Sequence, residues 1–306
     1  MEALGAAQSK EVESVVGQHF ELTPTSLFEL DYIAPPAAIS DYITTLYHFR
    51  CDEPVIRDIQ PASVGHLVIF PQGSGEMQFL DGRVDNSHQT NLMTPFSVAA
   101  PFVVEGPFQA IGAVLSPYGW AALTGLDASE FGNRFVKASD WLDPSVGQLG
   151  AQLCDDFRAG EISGKDCALA LGDFIAGNTK RVNPRHLELI KQTNEWLGSS
   201  LNPKLEDLIE RAAYSERQVQ RLVERYFGLP PTALARKYRA LRAAAFLSFP
   251  QLTPEFEAEL GEAFYDQSHM IREIRIFVGR TPSRLTDDDN PFLSEMLDLT
   301  NFRELG

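Results

Sequence analysis

Two segments in the C-terminal third of this 306-residue chain repeat one order of elements, and this repeat constrains the fold most. In the first, an amphipathic stretch at 204–212 is followed by Ser215, a residue type that caps helix N-termini. In the second, residues 255–263 precede a turn that ends at Asp266, another capping residue. In both segments, the stretch that follows the capping residue has an Arg six positions after the cap. It ends at a Gly, and a Pro follows within three residues. The repeat predicts two helix-turn-helix units joined by one helix.

The second helix of each unit carries polar side chains opposite its apolar stripe. Arg and Gln can pair with guanine and adenine edges through two hydrogen bonds each. The second helix of such a unit is also the one that enters the major groove. The residues predicted to contact double-stranded DNA are therefore Arg217, Gln220, Arg221 and Arg225 in the first unit, and Gln267, Ser268, His269 and Arg272 in the second.

The repeat and its linker resemble the AraC/XylS family of transcription regulators, over roughly the last third of the chain. The resemblance implies a sequence-specific regulator with two recognition helices in successive major-groove segments. It also implies RNA polymerase as a partner, and it leaves open a small-molecule effector and a homodimer. The matching residues are Ser215, Arg217, Arg221, Gly228, Pro231, Arg239, Ala243, Phe264, Asp266, Gln267, Ser268, His269, Arg272, Phe277, Gly279 and Pro282.

Some positions depart from the family pattern. Ile209 and Glu259 stand where a small residue is usual on the inner face of each first helix, and Ala213 and Ala263 stand where Gly is commonest in the turns. A buried carboxylate without a partner is costly. We therefore expect the helix that carries Glu259 to be shifted outward.

The charge distribution favours DNA binding at the first unit. The net charge of −16 by itself argues against nucleic acid as a partner. Residues 211–242, however, contain 8 basic and 2 acidic residues, whereas residues 255–285 contain 4 basic and 6 acidic residues. The first unit is expected to dominate affinity. On the linker, Arg236, Lys237 and Arg242 are expected to contact the DNA backbone or lie at the surface.

Short runs of β-branched and aromatic residues predict a β-rich N-terminal part, a sandwich or barrel. The resulting fold class is α+β, and the resemblance implies that this part is a cupin-like or jelly-roll-like sensor. Strands are predicted at 44–49, 66–70, 76–80, 92–98, 102–104 and 109–115, with a hairpin connection at 71–75.

Four regions are predicted along the chain. They are a β-rich effector-binding or dimerisation domain at 1–143, a helical connector at 144–183, a DNA-binding domain at 184–286 and an acidic tail at 287–306. Helices are predicted at 119–125, 145–159, 165–177 and 185–197, and the tail has apolar residues at helical spacing.

No cofactor, metal or enzymatic activity is expected, because nucleotide loops, nucleophile elbows and the HExxH motif are absent from the sequence. The metal-ligand residue types of the β-rich part are scattered and lack a tight His-x-His spacing. They are His48, His66, His88, Glu76 and Glu105. Cys51, Cys154 and Cys167 are widely spaced, so reduced thiols in a cytoplasmic protein are expected. A secretory signal and a membrane span are not expected.

Two other interpretations stay open at this point. One is a catalytic or metal-binding β-barrel fused to a DNA-binding module, and the other is a constitutive regulator whose β-rich domain only dimerises. Five phenylalanines of the β-rich part fit a core better than an effector pocket, and the sequence does not single out any of them as a pocket residue. They are Phe70, Phe79, Phe96, Phe102 and Phe108. Neither the effector, the operator nor the direction of regulation follows from the sequence.

Overall fold

The computed structural model describes residues 22–247 and 254–280, and one antiparallel sheet of eight strands makes up its N-terminal part. The main strand order is β1-β2-β7-β4-β6-β8, with β3 paired to β7 and β5 paired to β4. The strands are β1 Glu29–Ile33, β2 Ile43–Cys51, β3 Val55–Gln60, β4 His66–Gln78, β5 Val84–Asn86, β6 Thr90–Met93, β7 Ala100–Leu115 and β8 Phe135–Lys137.

The predicted hairpin at 71–75 is wrong, because β4 runs through it as one strand. The register of β4 against β7 shifts on either side of Gln72, and Gly73 takes a positive φ of 80° there. Bulges of this kind absorb a Pro or Gly without ending a strand. The predicted segments 102–104 and 109–115 are likewise one strand, β7. The strands β1, β3, β5 and β8 were not predicted.

Nine helices lie in the described ranges, and most of them follow the predicted bounds. The predicted helices at 145–159 and 165–177 correspond to α2 and α3. The helices are α1 Pro117–Thr124, α2 Ser145–Ala159, α3 Gly164–Gly177, α4 Pro184–Gly198, α5 Leu205–Arg211, α6 Glu216–Phe227, α7 Pro231–Leu247, α8 Pro254–Ala263 and α9 Gln267–Val278.

Helices α1 to α3 cover one face of the sheet. Side chains that alternate along the strands, such as Leu46, Leu67 and Ile111, are fully buried beneath them with Trp120 and Leu171. The opposite face carries a second cluster rich in phenylalanine. The helices of the predicted connector therefore share a core with the sheet, and the division at 144–183 stays a prediction.

Helices α4 to α9 form a third hydrophobic core, which also includes Ala62 and Ala121 of the N-terminal part. Trp196 and Leu208 are buried in it with the apolar stripes of α6, α7 and α9. The Trp196 Nε1–H donates to the Lys204 carbonyl at 2.7 Å, which joins α4 to the start of α5. An antiparallel sheet domain followed by a C-terminal helical domain confirms the predicted fold class.

Within the described residues, none of the helices is long and apolar enough to span a membrane. Residues 1–21 of the predicted β-rich domain and the predicted tail at 287–306 lie outside the described residues.

Candidate nucleic-acid interface

Helix α6 is the recognition helix of the first unit, and its own sequence sets both ends. The Ser215 side chain and the Gln218 side chain form a reciprocal capping box at the N-terminus. Gly228 ends the helix with a φ of 80°, a left-handed conformation that suits glycine. Both ends match the sequence prediction.

The polar face of α6 is open to solvent. The apolar side chains Val219, Leu222, Val223 and Tyr226 are buried, as their spacing predicts. Gln220 is held toward Glu216 by a hydrogen bond of 3.2 Å. All four predicted DNA-contacting residues of this unit are exposed: Arg217, Gln220, Arg221 and Arg225.

Helix α9 is the recognition helix of the second unit and is capped in a different way. The Asp266 carboxylate accepts the His269 backbone N–H at 2.7 Å, and Gly279 ends the helix in the left-handed conformation. Gln267, Ser268 and Arg272 are exposed. His269, in contrast, is half-buried, and its Nε2 lies 3.3 Å from the Glu273 carboxylate.

A buried ion pair anchors α9 to α7. Glu273 is fully buried and accepts three hydrogen bonds from Arg239: from Nε to Oε2 at 3.0 Å, and from Nη2 to Oε1 at 2.9 Å and to Oε2 at 2.8 Å. Arg236 adds a third donor at 2.8 Å. The free-energy cost of removing these charges from water is offset only when the buried ions are paired through several well-aligned hydrogen bonds, as they are here. Glu273 is not among the predicted site residues, although a Glu on the apolar stripe near Phe277 was a usable signal.

Of the three linker cations predicted to contact the DNA backbone or lie at the surface, Arg236 is exposed, whereas Lys237 and Arg242 are not. Lys237 is 2% exposed, and its Nζ donates to the carbonyls of Ser63 and Phe96 at 2.9 Å each. Arg242 donates to the Ser200 carbonyl at 2.8 Å, and burial lowers its pKa. The expectation of phosphate contact or surface exposure is therefore wrong for Lys237, because both carbonyls come from the N-terminal domain and enclose its ammonium.

Glu259 has a partner and does not require the outward shift that the sequence analysis expected. Its carboxylate accepts the Leu201 backbone N–H at 3.1 Å, and the residue is half-buried. The carboxylate thus provides a hydrogen-bond acceptor for a backbone N–H of the loop between α4 and α5. The free-energy cost of an unpaired buried charge therefore does not arise.

Both recognition helices rest with their C-terminal ends on the N-terminal domain. At the end of α6, the Arg225 carbonyl accepts the Ala128 N–H at 2.7 Å. At the end of α9, the Phe277 carbonyl accepts the Ala62 N–H at 2.7 Å, and a Cβ on Gly279 would lie 2.3 Å from Ile59. The N-terminal domain therefore contacts both helices at their C-terminal ends, and on α6 the contact involves the backbone of Arg225, itself a predicted DNA-contacting residue.

A buried ion pair adds to the contact at α9. Arg280 and Asp58 form a hydrogen-bonded pair in which both side chains are 2% exposed. Arg280 also donates to the Ile59 carbonyl at 3.1 Å. Burial raises the pKa of Asp58, and the adjacent guanidinium opposes that effect.

A cavity of about 200 Å³ lies on the phenylalanine-rich face of the sheet. It is lined by strands of the sheet, by the segment 58–64 and by Leu241 of α7. Phe70, Phe102 and Phe108 line it, whereas Phe79 and Phe96 pack against each other with ring centroids 5.4 Å apart. The aromatic residues are thus divided between a cavity wall and a core.

The three histidines within the described residues of the N-terminal domain lie in three different environments. His48 packs between the sheet and Phe157 of α2, and its Nε2 lies 2.8 Å from the Gln109 side chain. His66 lines the cavity, and His88 is exposed. In the part of the chain that the structure describes, no group of three or more His, Cys, Asp or Glu residues could hold a metal ion. The three cysteines are buried and not joined in disulfides.

Comparison with known proteins identifies the C-terminal region. Residues 208–288 match a family model described as a helix-turn-helix domain. No curated protein matches the chain.

Solved structures of two proteins resemble the whole chain weakly. The fatty-acid-bound ToxT of Vibrio cholerae has 9% identity and a TM-score of 0.44, over 84% of this chain and 94% of that chain. A second ToxT structure has 7% identity and a TM-score of 0.43, over 84% and 97%. The AraC-like transcriptional activator CuxR has 11% identity and a TM-score of 0.31, over 71% and 87%. Such scores do not by themselves establish a shared fold.

The identification therefore rests on the matched region and on the residues within it. That region contains both recognition helices, their caps and the linker helix, with arginine and glutamine side chains exposed on the predicted reading face. The C-terminal region is a helix-turn-helix domain of the AraC type, and the protein is a DNA-binding transcription regulator.

Proposed function

We propose that α6 and α9 enter successive major-groove segments on one face of the operator, about one helical turn apart. The observation that carries this proposal is the pair of capped helices held on one linker helix, each with an exposed Arg six positions after its cap. Their reading residues are Arg217, Gln220, Arg221 and Arg225 on α6, and Gln267, Ser268 and Arg272 on α9. His269 positions α9 through Glu273 and contributes less to reading.

We also propose that a small molecule in the cavity controls DNA binding through domain orientation. The segment 58–64 supports this, because it lines the cavity and also contacts the DNA-binding domain. Asp58 pairs with Arg280, the Ala62 N–H donates to Phe277, and the Ser63 carbonyl accepts Lys237. A ligand that displaces this segment changes the position of α9 against the N-terminal domain directly, without requiring a change in oligomeric state.

Further partners follow from the same proposal. A regulator of this kind works through RNA polymerase in the cytoplasm, and a homodimer would place two copies on neighbouring operator sites. The segment 58–64 favours effector control over a domain that only dimerises, and the separated histidines support a non-catalytic, metal-independent sensor.

Footprinting on genomic promoter fragments, followed by titration of the strongest site, tests the DNA-binding mode. Two protected major-groove segments about one turn apart are expected. Because we expect ~4–7 phosphate contacts, log Kd should rise by about 4–6 for each tenfold increase in salt concentration. A slope near zero would show that the arginine-rich face does not contact DNA. One protected segment would show that only one helix reads the operator.

A further inference from the structure

Apart from the carboxylate of Glu76, the polar groups of the cavity are electrically neutral or already paired. Among the described residues that line it, none carries a free positive charge. Its two carboxylates belong to Asp58, which is paired with Arg280, and to the half-buried Glu76. Burial lowers the pKa of His66 to about 3 and raises that of Tyr47 well above its usual range. Both rings are therefore uncharged at neutral pH, and the phenol lies 3.4 Å from His66 Nδ1.

One hydroxyl of the cavity wall lacks a partner. Ser63 lines the cavity, and its Oγ, enclosed by neighbouring atoms, has no hydrogen bond to any residue that the structure describes. Buried polar atoms are nearly always hydrogen-bonded, and rotation about the Ser63 Cα–Cβ bond would turn this hydroxyl toward a partner in the cavity. The Ser63 carbonyl is already used by Lys237, which leaves the hydroxyl as the available group.

The remaining wall is apolar and aromatic. Phe49, Phe70, Phe108 and Phe135 contribute rings, and Met77 contributes a polarizable thioether. Cavities of this kind bind ligands through apolar contact, with a few polar groups fixing the orientation. The volume of about 200 Å³ exceeds the ~150 Å³ of an apolar cavity that binds benzene.

We infer that the cavity takes a small, uncharged, largely apolar molecule, of the alkylphenol or alkyl-alcohol class, whose one hydroxyl bonds to Ser63 Oγ once that side chain rotates toward the cavity. This inference rests on the proposed effector control of the same cavity. A carboxylate ligand would bring a negative charge beside Asp58 and Glu76 into a site with no available cation, and an unpaired buried charge is strongly unfavourable.

Two cations among the described residues lie next to this wall and both are already bonded: Arg280 pairs with Asp58, and Lys237 donates to two carbonyls. Lys237 is the one without a carboxylate in these contacts. Its Nζ lies behind the wall, bound to the Ser63 and Phe96 carbonyls. An anion could reach it only by displacing these bonds and opening the contact between the domains. The neutral ligand leaves that contact in place and approaches Ser63 from the cavity side.

Three matched probes test the inference by calorimetry on the full-length protein at pH 7: para-propylphenol, propylbenzene and para-propylbenzoate. The phenol is expected to bind at one site, and the benzoate at least about tenfold more weakly. Ser63→Ala should weaken phenol binding about three- to tenfold and leave propylbenzene unchanged. Ser145→Ala, an exposed serine outside the cavity, is the control, and Ala110→Leu should weaken both neutral probes by filling the cavity.

Benzoate binding as tight as that of the phenol would overturn the inference, and its loss in Lys237→Gln would assign the anion to Lys237. Absence of phenol binding, or equal phenol affinities in the parent protein and Ser63→Ala, would also overturn it. Operator titration of the same preparations separates the two proposals. Intact operator binding with failed probe binding rejects only the ligand class, whereas loss of specific operator binding in the parent protein rejects the proposed function.

Discussion

Arg239 and Glu273 lie 34 residues apart in the sequence and form a bidentate ion pair in the core of the DNA-binding domain. The Arg239 guanidinium also lies 5.0 Å over the Phe264 ring and donates to Asn202 at 2.9 Å. One arginine of the linker helix thus joins the second recognition helix, the turn before it and the loop after α4.

Glu273→Leu should lower the free energy of unfolding of the protein by about 3–5 kcal/mol, because it leaves the Arg239 charge buried without its partner. Urea unfolding measures the change. Glu216→Gln is the matched control, since Glu216 is exposed, and a change within about 0.5 kcal/mol is expected there. Combining Glu273→Leu with Arg239→Met should restore part of the loss. A single variant as stable as the parent would contradict the anchoring role.

Arg221→Ala should weaken operator binding by about 1–3 kcal/mol and relax base preference at one position. Arg272→Ala should cost less, under about 1 kcal/mol, since the second unit is locally acidic and attracts phosphates less. The ion pair of Glu273 shows that α9 is firmly held, so this ranking rests on charge alone. Titration of both variants on one operator at one salt concentration decides the ranking, with Arg158→Ala on α2 as a control. A larger loss for Arg272→Ala reverses it.

Protonation of His66 should make the protein less stable in mild acid. Its pKa is lowered from 6.5 to about 3 by burial, so below pH 6.5 the unfolded chain binds the proton and the folded chain does not. Stability is therefore full above pH 6.5 and falls toward pH 3, by about 1.4 kcal/mol per pH unit for this one group. Urea unfolding of the parent and of His66→Gln between pH 7 and pH 5 isolates the contribution. Identical pH profiles would show that His66 is not buried in its neutral form.

Asp58→Asn should weaken the contact between the C-terminal end of α9 and the N-terminal domain. A hydrogen bond to a charged group contributes about 1.5–3 kcal/mol, so exchange of the Ala62 and Ala99 amide protons should accelerate on the order of tenfold or more. These two N–H groups donate to the Phe277 and Ile276 carbonyls of α9. Hydrogen exchange with residue resolution is the measurement.

Amides within β2 and β7 should keep their exchange rates in Asp58→Asn, because they belong to the sheet and not to the contact between the domains. Asp81→Asn, which breaks an exposed pair with Arg83, is the control and should change neither group of amides. Acceleration across the whole chain would indicate global destabilisation in place of a local release.

The sequence by itself determined the recognition helices. Ser215 and Asp266 satisfy free N–H groups within three residues of themselves, and Gly228 and Gly279 adopt a conformation that few other residues tolerate. Since these interactions are local, the ends of α6 and α9 follow from residue types alone. The exposure of the predicted reading residues follows from the 3.6-residue period of the same helices.

Only the tertiary structure decided the continuity of the long strands, the contact of the recognition helices with the N-terminal domain, and the lining of the cavity. Pro71 and Gly73 resemble a turn in sequence, yet β7 pairs with β4 on both sides of them and bulges absorb the irregularity. Lys237 is buried because two carbonyls that lie 174 and 141 residues away in the sequence converge on its ammonium. Ser63 faces a cavity that strands from the whole N-terminal domain enclose. A sequence pattern reports the neighbours within a few residues, whereas these environments are made by segments that meet only when the chain folds.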